Sequence, residues 1–201
     1  VKILALELSS ARGSLAWRND DVAVTREWPN DRKNSGEFFQ TLAELRAEFG
    51  RPDRIIVGLG PGSYAGTRIA ISAAIGLHLA LRAELVGLSS LCAIECDARR
   101  YTVLGDARRQ TFFRAEVHDH SLAAPPSLHT AAELQRALDS PEPGPPIFAV
   151  EELAQFPGVE VRYPSAGALA RLAVEANRTF VGPPLEPMYL REPHITAPKP
   201  R

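Results

Sequence analysis

Apolar and polar positions alternate along the first ninety residues in a way that separates strands from helices. Residues 2–8 read as a strand, with Ile3, Leu4, Ala5 and Leu6 in succession. Ser9-Ser10-Ala11-Arg12-Gly13 reads as a turn. Residues 14–17 and 22–28 read as two more strands, split by the polar turn Arg18-Asn19-Asp20-Asp21, so the chain opens as a three-stranded meander. Ser35 or Asn34 can cap a helix over 36–49, where Phe38, Leu42, Leu45 and Phe49 recur at helical spacing. A short apolar strand over 53–58 enters a glycine-rich turn, 58–66, which leads into a second helix over 67–82. Residues 85–88 form another strand, and Ser89-Ser90 starts a helix through Cys96. The order is βββαβαβα.

The second half is patterned more weakly. Residues 101–105 and 111–117 read as strands joined by a turn at 106–110, echoing the opening as an internal duplication would. After residue 120 the composition shifts, and most of the 17 prolines lie there. Residues 118–128 and 139–146 read as loops, 130–138 as a short capped helix and 147–150 as a strand. A helix over 165–178 turns Leu169, Leu172 and Ala173 inward. The expected organisation is a first lobe at 1–98, a smaller second lobe at 99–182, and a proline-rich segment at 183–201. That segment returns to the first lobe and becomes a loose tail from Pro193.

Composition narrows the function classes. The chain has 201 residues, 45% of them apolar, which suits a globular protein. Its net charge of −1 argues against a dedicated, self-sufficient nucleic-acid binder and leaves room for a local basic patch. Cys92 and Cys96 are too few for a disulfide framework and are expected on one helix face as buried thiols of a reducing compartment. The most apolar run, 69–81, is shorter than the ~20 residues of a membrane span. A cytoplasmic protein without membrane attachment is expected.

Candidate chemistry is sparse. Gly58-Leu59-Gly60-Pro61-Gly62-Ser63-Tyr64-Ala65-Gly66-Thr67-Arg68 follows a strand and opens a helix, a setting that offers free N–H groups to an anion. It lacks the Lys-Ser or Lys-Thr of a phosphate-binding loop, matches a dinucleotide fingerprint only formally, and equally suits close strand–helix packing. Gly60, Gly62, Ser63, Gly66 and Arg68 are its candidate contacts. Glu7 and Asp106 head two hairpins and are candidate cleft acids that could hold a Mg–nucleotide, or simply cap turns. No metal-binding residue set stands out. The helix after the loop carries Ala70, Ala73, Ala74 and Leu77 as one stripe with isoleucines and leucines around it, so both faces should be covered.

Several segments together resemble the TsaB (YeaZ) family. They are Ile3-Leu4-Ala5-Leu6-Glu7 with Ser9-Ser10, Gly60-Pro61-Gly62-Ser63-Tyr64-Ala65-Gly66-Thr67-Arg68-Ile69, Leu88-Ser89-Ser90-Leu91, Asp106-Ala107-Arg108, and Glu186-Pro187-Met188-Tyr189-Leu190-Arg191. The resemblance implies an α/β protein of the actin-like ATPase (ribonuclease-H-like) fold, two βββαβα-type lobes with the second reduced. It implies a non-catalytic partner of the related TsaD catalytic subunit. With a small ATPase (TsaE), that pair moves a threonylcarbamoyl group from its adenylate onto the tRNA adenosine beside the anticodon. No cofactor is implied, tRNA is met only through the complex, and the chain alone is expected to self-associate as a homodimer. Phe38, Leu42, Leu45, Ala70, Ala73, Ala74 and Leu77 would be the docking surface. Glu7 in place of the fold's usual Asp, Leu8 in place of a Gly, and Asn34-Ser35 in place of His-Ser all point away from catalysis. The competing reading is a small nucleotide-dependent phosphotransferase or ATPase, with Glu7, Gly62, Ser63 and Asp106 lining a Mg–ATP cleft. A peptidase lacks its metal pair or Ser–His set.

Overall fold

A computed structural model describes residues 1–30, 35–140 and 144–191. Asn34 and the tail from Pro193 lie outside the described residues. The first sheet is built from β1 (Ile3–Glu7), β2 (Arg12–Arg18), β3 (Ala23–Pro29), β4 (Arg54–Gly58) and β5 (Glu84–Leu88), in the order β3-β2-β1-β4-β5. β1 runs antiparallel to β2 and parallel to β4. This is the ribonuclease-H-like strand order. All five residues of β1 are buried, because both faces of the sheet are covered.

Alternation decides which face each side chain serves. Leu4 and Leu6 point to α1 (Gly36–Phe49) and α2 (Tyr64–Leu81), where they join Phe38, Leu42, Leu45, Ala70 and Ala74 in one apolar core. Ile3 and Ala5 point to the opposite face, where Ala166, Leu169 and Leu172 cover them. Those residues belong to α4 (Ala166–Leu172), which packs across β1 and β2. A helix expected in the second lobe therefore forms a wall of the first. It is anchored by the Ala166 N–H, which donates to Ser14 Oγ at 2.9 Å. It is also shorter than the expected 165–178 span, ending at Leu172.

The second sheet contains β6 (Arg100–Asp106), β7 (Thr111–His118), β8 (Ser121–Leu122), β10 (Ile147–Ala149) and β11 (Glu160–Val161), ordered β11-β10-β6-β7-β8, with β9 (Ser127–Thr130) also on β7. β8 and the first half of β9 fall within the stretch 118–128 expected to be loop. One amphipathic helix, α3 (Ala131–Leu138), starts in a capping box between Thr130 and Glu133 and buries Leu134. Cys92 lies in a short 3-10 turn, Ser90–Ala93, and Cys96 beyond it, so the two thiols share no helix face. The chain then returns along the first lobe. Val181 bridges to Gly87, Leu185 enters the core beside α1 and α2, and the Met188 N–H donates to Leu59 O at 2.7 Å.

Candidate functional site

The glycine-rich loop between β4 and α2 is filled by the protein's own backbone. The Ser63 N–H donates to Ser9 O at 2.6 Å. A Cβ on Gly62 would sit 2.1 Å from Ser9 O, and one on Gly66 would sit 2.1 Å from Leu8 O. These glycines are required because the β1–β2 turn lies in the loop, closer than any side chain allows. Behind it, the Ser89 and Ser90 hydroxyls hold Gly60: Ser89 Oγ donates to Gly60 O at 3.0 Å, and Ser90 Oγ accepts the Gly60 N–H at 2.9 Å. Helix α2 then starts with Ser63 as its cap, its Oγ accepting the Gly66 N–H at 3.3 Å.

Glu7 lies beneath this assembly and does not line the cleft, contrary to the expectation for a cleft acid. It is 0% exposed. Its Oε1 accepts the Ser9 N–H at 2.6 Å, while Oε2 has no hydrogen-bond partner. The longer side chain fits because residue 58 is glycine: a Cβ there would lie 1.9 Å from Glu7 Oε2. Burial pushes the carboxyl above its ordinary range, and the hydrogen bond from the Ser9 N–H pulls it part of the way back.

Between the lobes lies a cleft of about 660 Å³. Of the sequence candidates, Gly62, Ser63 and Asp106 line it, whereas Gly60, Gly66 and Arg68 do not. Asp106 is engaged already: it accepts the Arg108 N–H at 2.7 Å and its guanidinium at 2.9 Å. Sequence reasoning missed Glu151, whose Oε1 accepts the Asp106 N–H at 3.0 Å. It also assigned no role to Tyr189 and Arg191, although the segment that carries them was part of the resemblance; both line the cleft. Arg68 stands outside, bonded to the Tyr64 hydroxyl at 2.6 Å. Among the described residues, no group of three or more His, Cys, Asp or Glu side chains could hold a metal ion.

The residues expected as a docking stripe lie mostly inside the protein. Phe38, Leu42, Leu45, Ala70 and Ala74 are buried in the protein's own core and cannot be contact residues, because the sheet lies against them. Ala73 and Leu77 lie at the margin of that core. Small residues face the strands because they let α2 approach closely, which leaves larger apolar ones outside. Leu79 is 71% and Ile75 36% exposed, with Ala65, Ser72 and Gly76 also exposed. By length and composition alone α2 could cross a membrane. In this fold its inner face, with Ala70, Ile71 and Ala74, covers the first sheet.

Comparison with known proteins gives this arrangement a family. The model of the family described as TsaD, tRNA N6-adenosine threonylcarbamoyltransferase, matches residues 37–188. The chain belongs to this family. Within reach of this TsaD-family chain is an uncharacterized Mycobacterium tuberculosis protein, Rv3421c, 32% identical over 158 residues that span 76% of this chain and 70% of that protein. An uncharacterized Mycobacterium leprae protein, ML0378, is 29% identical over 153 residues, 76% of this chain and 42% of that protein. Among solved structures, YeaZ from Pseudomonas aeruginosa has the same fold, with a TM-score of 0.71 at 23% identity over 94% of this chain and 99% of that chain. The TsaD-family match and the YeaZ fold together make the chain a TsaB (YeaZ)-like protein.

Proposed function

We infer that the chain works in tRNA threonylcarbamoyladenosine modification as a non-catalytic partner of a TsaD-type transferase, at the adenosine beside the anticodon. Such work belongs in the cytoplasm, with tRNA reached as part of the complex. The observation that carries the partner role is the outer face of α2. Ile75 and Leu79 stand exposed among small residues that allow close helix approach, an apolar surface suited to a protein partner. Without its partner, this face would be covered by a second copy. The glycine loop supports the absence of catalysis. Leu8 and Ser9 carbonyls occupy the space beside Gly66 and Gly62, and Glu7 lies under the loop.

Reconstituted transfer tests this reading. The TsaD-type paralogue of the same host, supplied with threonylcarbamoyl adenylate and tRNA, should gain activity when this chain is added. It should gain none from an Ile75→Asp, Leu79→Asp variant. Threonylcarbamoyl transfer by this chain alone would refute the non-catalytic assignment.

A further inference from the structure

The lip of the interlobe cleft carries chemistry that the protein-docking role does not use. Tyr64 and Tyr189 stand 62% and 47% exposed with ring centroids 5.8 Å apart, and both line the cleft. Arg68 lies over the Tyr64 ring, 5.1 Å from its centroid. Across the cleft, the β6–β7 turn holds Arg108, Arg109 and Gln110 in three successive left-handed conformations, with φ of 65°, 54° and 59°. Such a run is costly for residues with a Cβ and fixes where the two arginines stand. Arg108 is neutralised by Asp106. Arg109 and Arg68 form no ion pair among the described residues. Arg191 donates to Thr111 Oγ1, and its Nε is buried without a partner.

We propose that this lip is a binding surface for an unpaired RNA strand. A base stacks on an exposed face of the tilted Tyr64–Tyr189 pair, whose planes differ by 36°, and flanking phosphates are held by Arg68, Arg109 and Arg191. Exposed rings offer a face to any base, and guanidinium groups without carboxylate partners attract backbone phosphates. RNA is favoured over a single enclosed nucleotide because the rings lie at the open rim and the cationic path continues past the cleft to Arg68. α2 is thereby divided: its first turns face RNA, and its later turns, with Ile75 and Leu79, face protein. The proposal rests on the tRNA-modification reading, and it explains how a chain of net charge −1 contributes to a tRNA surface.

The test is fluorescence anisotropy of a labelled, unstructured oligoribonucleotide of about twelve nucleotides, titrated with the intact chain at about 50 mM salt. The wild type should bind. Tyr64→Ala with Tyr189→Ala should weaken binding about tenfold or more. Arg109→Ala should flatten the salt dependence by roughly 0.7 in log–log slope, as expected for one lost phosphate contact on a single strand. Ile75→Asp should leave RNA binding unchanged. Absence of RNA binding by the wild type, or equal binding by the tyrosine variant, would overturn the proposal. So would displacement of the probe by AMP over the concentrations at which AMP itself saturates the chain, which would make the lip a mononucleotide site. Pull-down of the TsaD-type paralogue with the same proteins separates the two readings. A tyrosine variant that loses the paralogue while keeping RNA assigns the rings to the protein interface and overturns the RNA site. Failure of the wild type to bind the paralogue refutes the proposed function and leaves the RNA measurement readable.

Discussion

Two glycines on one helix should respond in opposite directions to the same added methyl group. Gly66 lies in the first turn of α2, where a Cβ would be 2.1 Å from Leu8 O and 3.2 Å from its carbonyl carbon. An ordinary carbon–oxygen approach is about 3.3 Å, so backbone must shift by roughly 1.2 Å. Overpacking of this kind costs up to about 3 kcal/mol. The movement also endangers the Ser63 N–H bond to Ser9 O, a further contribution of about 1 kcal/mol. Higher helix propensity returns at most about 1 kcal/mol. Gly66→Ala should therefore lose about 3 kcal/mol, which for a chain of this size lowers Tm by roughly 6–12 °C. Gly76 lies on the outer face of the same helix with nothing within 4 Å of its Cβ position. Gly76→Ala should gain up to about 1 kcal/mol from propensity alone. Urea and thermal unfolding of both variants measure the contrast. If Gly66→Ala matched or exceeded the wild type, the loop would not be a socket for the β1–β2 turn, and the case against a phosphate cradle would fall with it.

Glu7→Gln should reveal a buried acid. The folded carboxyl titrates above its ordinary 4.5, so the native state keeps a proton that the unfolded chain has lost. Wild-type stability therefore falls as pH rises from 4.5 through the folded pKa, and the variant should gain on the wild type over that window while matching it below; a pH-independent difference would contradict this. Burial pushes the Cys92 thiol up to about 12, so native protein at pH 8 should show no fast reaction of Cys92 with a thiol reagent, and two fast thiols would be the contrary result. Arg178 donates to Asp119 O at 2.9 Å and His120 O at 2.7 Å, holding two residues with φ of 47° and 56°. Arg178→Lys, which loses that fork, should cost about 2 kcal/mol in urea unfolding, and an unchanged midpoint would show that the turn holds itself.

The first lobe was the more legible part of the chain. Phe38, Leu42 and Leu45 mark one stripe because α1 has a solvent face, and the observed helix, Gly36–Phe49, coincides with the expected span. α2 has no such contrast. With apolar residues nearly all round, periodicity could not say that Ala70 and Ala74 would go to the sheet while Ile75 and Leu79 stayed outside; close helix–sheet packing selected the small side. β1 posed the same difficulty for Glu7. A strand buried on both faces gives no alternation from which to tell cleft from core. Strands of two residues, such as Ser121–Leu122 and Glu160–Val161, are too short to carry a period, and β9 follows the Pro125-Pro126 pair that reads as loop. Nothing local to residues 166–172 says that this helix covers β1 and β2, because that placement depends on contacts such as that of Ala166 with Ser14, 152 positions earlier. Glu151 had no signal at all, since its partner is the backbone N–H of Asp106, at the end of β6 and 45 positions away.

The partner role is tested most directly by light-scattering-coupled gel filtration of the chain mixed with its host's TsaD-type paralogue. Wild type should elute with the paralogue as a one-to-one species. Ile75→Asp with Leu79→Asp should remain folded, because both side chains are exposed, and should elute apart from it. Ala74→Arg should instead fail in thermal unfolding before any question of binding arises, because Ala74 is 0% exposed against the sheet. Co-elution of the folded double variant at full stoichiometry would contradict the assignment of the α2 outer face, and no association of the wild type at micromolar concentration would contradict the partner role itself.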